Sequence, residues 1–190
     1  MAVAQEMFFE GGYGISMSSI AARIGGSKTT LWTYFPTKAE LFEAIIDRIV
    51  AEYGSIIERV PLLPGDLRKT LSSFGRAVVT TILSPTVVSL HRLVVGEAER
   101  FPELGRLYYE KGPGRAQFRL SRFLKNEMNV GSIATGDSDR MAAFFLQMCQ
   151  AGAVQRSILA QPPEASQAEM AGDVDTAVSS FLHMVENRVK

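Results

Sequence analysis

The stretch of residues 25–35 reads GGSKTTLWTYF and combines two glycines, one lysine, three threonines and three aromatic residues with no acidic side chain. A solvent-exposed loop does not require aromatic rings, and a buried helix does not favour a lysine among threonines. This composition indicates a surface that contacts something outside the chain.

The charge around this stretch differs from that of the whole chain, which balances 20 Lys and Arg against 20 Asp and Glu. Residues 11–39 contain the basic side chains Arg23, Lys28 and Lys38 and no acid, whereas acidic residues recur from Glu40 onward. An anionic partner of this segment would therefore meet a local positive surface on an otherwise neutral protein.

Composition and cysteine usage exclude several classes of protein. Hydrophobic residues make up 46% and charged residues 21% of the chain, as in folded globular domains. No apolar run approaches the ~20 residues of a membrane span, and the N-terminus lacks a signal-peptide pattern. Cys149 is the single cysteine, which excludes an internal disulfide and a thiolate zinc site. We expect a cytoplasmic protein without membrane partner, metal or cofactor, in which Cys149 is a buried apolar residue or, alternatively, a redox-sensing thiol.

Apolar residues recur at helical spacing along the chain and predict an all-α fold of about nine helices. The predicted N-terminal caps are Ser16, Ser27, Ser84, Asp137 and the T-x-x-E pair of Thr37 and Glu40. Residues 78–82 are β-branched and favour a strand by propensity alone, but their neighbours favour a helix. We predict a helix-turn-helix domain over residues 1–47 and a second domain over 48–190. The predicted helices cover residues 4–11, 17–24, 28–34, 38–60, 67–83, 85–99, 102–123 with a kink near 112–114, 138–159 and 165–187.

Two short helices joined by Gly25, Gly26 and Ser27, preceded by one more helix, are what a DNA-binding helix-turn-helix requires. The third helix would place its N-terminal side chains in the major groove, where lysine can bond guanine or phosphate and threonine can contact a base edge. The rings of Trp32 and Tyr34 on this helix would contact the phosphate and sugar groups of the DNA backbone. The outward side chains of this helix and its cap are predicted to be Ser27, Lys28, Thr29, Thr30, Trp32, Thr33 and Tyr34.

Other interpretations of the same residues remain open. The segment departs from a phosphate-binding P-loop because Ser27 precedes Lys28 where that motif has glycine, and no strand leads into it. Leu31 and Phe35 are spaced to face inward. Trp32 and Tyr34 suit either the core of a small helical head or an exposed contact surface.

The sequence GGYGISMSSIAARIGGSKTTLWTYFPTKAELFEAII over residues 11–46 resembles the DNA-binding domain of the tetracycline-repressor (TetR) family. It matches that family's G-Y…S-M-x-x-I-A…S-K-x-T-L-[YW]-x-Y-F-x-[ST]-K-x-x-L-F pattern. The resemblance implies a homodimeric bacterial regulator, usually a repressor, with a helical C-terminal domain that holds a small-molecule pocket. It places base and phosphate contacts at Lys28, Thr29, Thr30, Trp32, Tyr34 and Lys38, backbone contacts at Ser16 and Ser18, and core positions at Ile20, Ala21, Leu31 and Phe35.

A second resemblance covers residues 94–115, VVGEAERFPELGRLYYEKGPGR, which are similar to the C-terminal domain of the AefR-like subgroup of that family. Family members usually begin with a basic arm and a longer first helix. We therefore expect that this arm is absent or that the start of the protein lies upstream of Met1.

The C-terminal part contains more apolar residues than its own core requires, which predicts a ligand pocket and a dimer interface. The effector would be apolar or amphipathic, and anionic if Arg115 points inward. It would act by tilting the long helix that starts at Thr37. The predicted pocket residues are Phe74, His91, Val95, Arg115, Phe118 and Phe145. The predicted dimer residues are Phe144, Met148, Cys149, Phe181, Leu182 and Val185, with Phe145 beside them.

Two rival functions come from other classes. A small helical enzyme would have to use His91, His183, Glu97, Glu99 or Cys149, but no spacing among them matches a catalytic triad or a metal site. We therefore predict that the chain is not an enzyme. An interaction module would use the helix-turn-helix for protein contact. It would lack the salt-dependent DNA affinity expected of a DNA-binding regulator, so a DNA titration distinguishes the two.

Overall fold

A computed structural model describes residues 1–25, 28–159 and 166–186. Within these residues the regular structure is helical and contains no strand, which confirms the predicted all-α class. The head consists of α1 (Ala2–Gly11), α2 (Met17–Ile24) and α3 (Lys28–Tyr34). A connecting helix follows, made of α4 (Lys38–Ile49), a π-helical segment (Val50–Gly54) and α5 (Ser55–Glu58). The remaining helices are α6 (Leu67–Ile82), α7 (Pro85–Glu97), α8 (Pro102–Lys111), α9 (Pro113–Asn129), α10 (Ser138–Gln150), α11 (Ala153–Leu159) and α12 (Gln167–Glu186).

Three of the predicted N-terminal caps are confirmed by hydrogen bonds. Ser16 Oγ accepts from the backbone N–H of Ser19 at 3.0 Å, and Thr37 Oγ1 accepts from that of Glu40 at 3.1 Å. Asp137 accepts from the first two backbone N–H groups of α10 beyond Ser138. Each of these caps satisfies donors that the first helical turn leaves unpaired, so the helices begin where the sequence indicates.

Ser84 takes the N-cap position of α7, but its side chain accepts no capping hydrogen bond and instead donates to the carbonyl oxygen of Thr81 at 2.8 Å. The predicted cap at Ser27 lies outside the described residues.

Two of the nine predicted helices are divided. The predicted kink near residues 112–114 is a break between α8 and α9, and the predicted helix over 138–159 is broken between α10 and α11. The second break has a tertiary cause, because Asp173 of α12 accepts a hydrogen bond from the backbone N–H of Ala153 at 2.6 Å. This carboxylate caps α11 from outside, and Gly152 at the break leaves the space that the carboxylate occupies.

Buried side chains form two clusters that meet along the connecting helix. One fills the head and includes Phe8 and Phe42, together with Leu90 and Val94 of α7. The other lies between α6, α9, α10 and α12. Because the core of the head is completed by α7 and α8, the division at residue 47 stays a prediction.

Within the described ranges, no single helix has the length and apolarity to cross a membrane. The helices α6 and α7 meet that criterion only as a pair, and they are bent by 72° at their junction.

Candidate nucleic-acid interface and cavity

The turn before α3 depends on glycine at its first position. Gly25 ends α2 with φ 73° and ψ 14°, a left-handed conformation that costs glycine little and most other residues more. The predicted residues Gly26 and Ser27 lie outside the described residues, as do the side chains of Lys28, Thr29 and Thr30. Their proposed roles therefore remain predictions from the sequence.

The described side chains of α3 divide into an inner and an outer face. Leu31 and Phe35 pack against the head cluster, in agreement with their inward spacing. Trp32 and Thr33 are exposed, and the ring of Tyr34 is 74% exposed. So exposed a ring contributes little to the core, which favours the contact interpretation of Tyr34 over the core interpretation. Ser16 is exposed at the start of α2, and Ser18 is half-buried there.

Lys38, the predicted phosphate contact at the start of α4, bonds the turn between α1 and α2. Its Nζ donates to the backbone oxygens of Tyr13, at 2.7 Å, and Ile15, at 3.4 Å. The ammonium also lies 4.4 Å from the centroid of the Tyr13 ring and 5.5 Å from that of Phe101. The side chain is half-exposed, so these contacts hold the ammonium beside the α1–α2 turn, and the predicted phosphate contact of Lys38 stays a prediction.

A cavity of about 640 Å³ lies beside the connecting helix, between α6, α7, α8, α9 and α10. Its walls are mostly apolar, which is typical of small-molecule sites. Four predicted pocket residues line it, namely His91, Val95, Arg115 and Phe118. Val95 and Phe118 are both more than half exposed, so they lie at the mouth of the cavity.

Phe74 and Phe145 are not among the lining residues, which corrects their assignment to the pocket. Both side chains are fully buried in the second core cluster. Phe145 packs edge-on against Phe181 with the ring centroids 5.4 Å apart, and the Phe74 ring lies 5.7 Å from the Arg119 guanidinium. Both rings are therefore part of the core, and the Phe74 ring lies behind Arg119, which itself lines the cavity.

Two polar groups of the cavity wall, a histidine and a tyrosine, contact each other. His91 Nδ1 lies 3.2 Å from the Tyr108 hydroxyl, and one of the two donates to the other according to the imidazole tautomer. Burial lowers the pKa of His91 and raises the pKa of Tyr108 to about 12. Both groups are therefore uncharged at neutral pH. Sequence reasoning missed Tyr108, although a tyrosine four residues after the buried Leu104 is placed to face the same side of α8.

Three cations along the rim bind the connecting helix. Lys111 Nζ lies 2.6 Å from Asp47 and 3.0 Å from Glu43, and the hydrogen bond to Asp47 chiefly raises the pKa of this lysine. Arg115 pairs with Glu58 at 2.6 Å. The Arg119 guanidinium donates to the carbonyl oxygens at the end of α5, those of Ile57 and Val60. Arg115 therefore points toward a carboxylate of its own chain, and the rim cations are already engaged.

The π-helical segment Val50–Gly54 forms part of the cavity wall. A π-helical turn leaves carbonyl oxygens out of the usual α-helical pairing. Here the carbonyl oxygen of Glu52 accepts from Ser55 Oγ at 3.1 Å, and that of Tyr53 accepts from Thr81 Oγ1 at 3.3 Å. Because Thr81 belongs to α6, this hydrogen bond joins the π-helical segment to a second helix of the cavity wall.

The predicted dimer residues are mostly inside the chain's own core, which corrects that assignment. Cys149 and Phe181 are fully buried, and Leu182 and Val185 are nearly so. Met148 packs against the same cluster. Phe144 alone among the six is exposed, at 52% of its surface. The outer face of α12 instead carries the small and polar residues Ala168, Gly172, Thr176, Ser179, Ser180 and His183, together with the exposed carboxylates Glu169 and Asp175, which pair with Arg156 and Arg76.

Two family models match the chain. The model described as bacterial regulatory proteins of the tetR family matches residues 1–45, and that of the AefR-like transcriptional repressor C-terminal domain matches residues 69–184. The second match alone covers more than half of the chain. It includes α6 to α11 and nearly all of α12, hence most of the cavity wall.

Solved structures and curated proteins are similar over most of their lengths. A TetR-family transcriptional regulator from Mesorhizobium loti superposes with a TM-score of 0.80 at 26% identity, over 96% of this chain and 93% of that one. The flavonoid-responsive regulator FrrA superposes with a TM-score of 0.79 at 29% identity and the same coverage. The nucleoid occlusion factor SlmA of Photorhabdus laumondii is 26% identical over 149 residues, which are 74% of this chain and 71% of that protein.

The predicted regulatory class agrees with these relatives, and the enzyme alternative does not. The family models and the neighbouring structures are those of transcriptional regulators. Two of the residues considered for catalysis have other contacts, because His91 pairs with Tyr108 and Glu97 accepts from the backbone of Tyr13. Among the described residues, no three His, Cys, Asp or Glu side chains are arranged to hold a metal ion. The chain belongs to the TetR family of DNA-binding transcriptional regulators.

Proposed function

We propose that the chain is a ligand-responsive repressor that binds a near-palindromic DNA operator as a homodimer and is released by a small molecule. The observation that carries this proposal is the cavity of about 640 Å³ against a helix that begins in the DNA-binding head. The match to the C-terminal domain of a repressor supports repression over activation. With DNA as its partner, we expect the protein to act in the cytoplasm.

The operator contacts are assigned to the outer face of α3 and the start of α2. We propose that Lys28, Thr29 and Thr33 read base edges in the major groove, with Trp32, Tyr34, Thr30, Ser27, Ser16 and Ser18 contacting the backbone or flanking positions. Lys38, half-exposed beside the α1–α2 turn that it bonds, is proposed to contact a phosphate. In a dimer, the two α3 helices would lie about 34–36 Å apart, one turn of DNA.

The effector is proposed to be an uncharged, flat amphipathic molecule with a hydroxyl or carbonyl group. The His91–Tyr108 pair offers hydrogen bonds without charge, and the rim cations Lys111, Arg115 and Arg119 already bind the connecting helix. A phenol ring system fits an apolar cavity with such polar groups. FrrA, a regulator of similar structure, is flavonoid-responsive, which supports the same chemical class here.

Dimerisation is assigned to the exposed faces of α10 and α12. On α12, Gly172, Thr176 and Ser180 follow one another at four-residue spacing and are all exposed, so a second helix can approach closely. Phe144 on α10 adds an exposed aromatic ring. We propose that these faces of two chains pack as a four-helix interface, in place of the buried residues that the sequence suggested.

The test begins with DNA selected from a random duplex library by the wild-type protein. Its affinity for the selected duplex should fall steeply with salt concentration, because basic side chains release counterions from DNA. The flavonoid naringenin, added to the preformed complex, should release the DNA, which requires that it bind the DNA-incompetent state more tightly.

Two matched variants assign the response to the cavity. Tyr108→Phe removes one hydroxyl from the His91 pair and should leave DNA affinity within twofold while weakening the naringenin response at least fivefold. Tyr109→Phe removes a neighbouring hydroxyl that also borders the cavity but bonds Gln117 instead of His91. It should respond like the wild type, which would show that the His91 pair and not any hydroxyl of the cavity wall recognises the effector. A wild-type protein without salt-dependent DNA binding would contradict the regulator assignment. Bound phenols that leave DNA affinity unchanged would contradict the effector assignment.

A further inference from the structure

The turn between α1 and α2 is bonded to a residue 84 positions away in sequence. The backbone N–H of Tyr13 donates to Glu97 Oε1 at 3.0 Å. Hydrogen bonds to a carboxylate oxygen are stronger than those between neutral groups, so this contact can fix a turn. Glu97 is the last residue of α7, the helix that also lines the cavity.

The sequence makes room for this bond at Gly12. This residue has φ 74° and ψ 175°, a combination that is essentially restricted to glycine. A Cβ atom at Gly12 would lie 2.6 Å from Glu97 Oε1, where no carbon can fit without displacing the carboxylate. The glycine thus provides both the backbone direction and the space that the Glu97 side chain occupies.

The same turn is held from its other side. Lys38 of α4 donates to the carbonyl oxygen of Tyr13, so both polar groups of this residue's backbone are bound by side chains from other helices. The Tyr13 ring is 3% exposed and packs edge-on against Phe42 and Phe101, at centroid distances of 5.2 and 4.8 Å. Since α2 begins a few residues later, at Met17, these contacts set the position from which α2 enters the DNA-binding head.

The helix that provides Glu97 contacts both the cavity and the head. Along α7, His91 and Val95 line the cavity. Leu90 and Val94 are buried in the head cluster and also border the cavity. A shift of α7 that accommodates a ligand therefore moves the Glu97 carboxylate relative to Tyr13. This route is separate from the connecting helix, which reaches the head through α4.

We propose that Glu97 is a positioning residue that fixes the α1–α2 turn for DNA binding and joins that turn to the effector cavity through α7. This inference rests on the proposed DNA-binding function and names how its regulation reaches α2. Binding at the two sites is then coupled in both directions, so DNA bound by the head must alter the stability of α7.

The experiment compares Glu97→Ala and Glu97→Gln with the wild type in three measurements. These are the amide hydrogen exchange rate of Tyr13, the affinity for the selected duplex, and the change in exchange over residues 91–97 when DNA binds. In Glu97→Ala the amide hydrogen of Tyr13 should exchange at least tenfold faster than in the wild type. The variant should bind DNA at least fivefold more weakly, and DNA should no longer protect α7 from exchange. Glu97→Gln keeps an acceptor oxygen without the charge and should lie between the wild type and Glu97→Ala in all three.

Arg92→Gln is the matched control because it lies on the same helix and bonds the carbonyl oxygens of Ser157 and Ile158 on the opposite side. It should change none of the three measurements. If Glu97→Ala folds poorly, Glu97→Asp takes its place, because the shorter side chain withdraws the carboxylate from the Tyr13 amide, and it should change the three measurements in the same direction.

The outcomes separate this inference from the proposed function. In one outcome, the Tyr13 amide of Glu97→Ala exchanges faster, but the variant binds DNA as tightly as the wild type and DNA still protects its α7. The contact would then be only structural, and the inference would be overturned. An unchanged Tyr13 exchange rate overturns it as well. A wild-type protein that binds no duplex overturns the proposed function instead, while the exchange rate still decides whether Glu97 holds the turn.

Discussion

Gly75 of α6 lies directly against Val174 of α12, so closely that a Cβ atom on the glycine would be 2.9 Å from Val174 Cγ1. The same atom would be 3.1 Å from Cys149 Sγ. We predict that Gly75→Ala lowers the free energy of unfolding by about 1–3 kcal/mol, because three buried helices would have to separate. Chemical denaturation measures this change.

The control for this prediction is Gly96→Ala on α7. A Cβ atom there would have no neighbour within 4 Å, so the helix propensity of alanine should leave the free energy of unfolding unchanged or raise it by up to ~1 kcal/mol. Equal effects of the two substitutions would show that the contact between α6 and α12 is looser than described.

The hydroxyl of Thr81 is predicted to stabilise the π-helical segment. Thr81→Val keeps the shape of the side chain and leaves the carbonyl oxygen of Tyr53 without this donor, which should cost about 1 kcal/mol of unfolding free energy. Amide exchange over Val50–Gly54 should become faster. Thr81→Ser retains the hydroxyl and should preserve the slow exchange, whereas equal exchange in both variants would mean that the hydroxyl does not support the turn.

Cys149 should make stability depend on alkaline pH. Burial raises the pKa of its thiol to about 12, with a further contribution from the nearby Asp173. Above about pH 9 the unfolded chain releases this proton while the folded state keeps it. The neutral thiol therefore contributes fully to the free energy of unfolding below about pH 9, and this contribution is lost as pH rises from there toward 12.

The measurement compares Cys149→Ala with the wild type by denaturation at pH 8 and pH 10. The difference in unfolding free energy between the two proteins should shrink by roughly 1.4 kcal/mol over this interval. Iodoacetamide should label the wild-type thiol only after unfolding. Rapid labelling of the native protein would instead support the redox-sensing alternative.

The proposed dimer interface predicts the effect of a single charge. Phe144→Glu introduces a carboxylate on the exposed face of α10 and should convert the dimer to a monomer, as measured by light scattering at micromolar concentration. Val130→Glu changes another exposed apolar residue, at the end of α9, and should leave the mass unchanged. A dimer that survives Phe144→Glu would place the interface elsewhere.

Sequence reasoning located features whose causes are local. The caps at Ser16, Thr37 and Asp137 act on backbone groups two or three residues away, so the spacing of residue types was sufficient to predict them. The helical class and the inward spacing of Leu31 and Phe35 follow from periodicity in the same way.

Features with causes elsewhere in the chain were not predictable. The break before α11 depends on Asp173, and the widened turn of the connecting helix depends on Thr81. Lys38 has the spacing of an outward residue but binds carbonyl oxygens brought beside it by the α1–α2 turn. Phe181 has the pattern of an interface residue, but α10 covers it, and amphipathicity cannot distinguish a partner helix of the same chain from one of another.

The π-helical segment also sets the angular phase between the two ends of the connecting helix. Ile45 and Ile46 face the head cluster before it, whereas Ile57 and Val60 pack in the second cluster after it. A π-helical turn contains one residue more than an α-helical turn, and each residue rotates the following side chains by about 100°. In a chimaera that joins the head of one regulator to the cavity domain of another, that extra residue has to be retained. Its deletion would leave a regular helix of almost unchanged length whose second half presents the wrong side chains to the core.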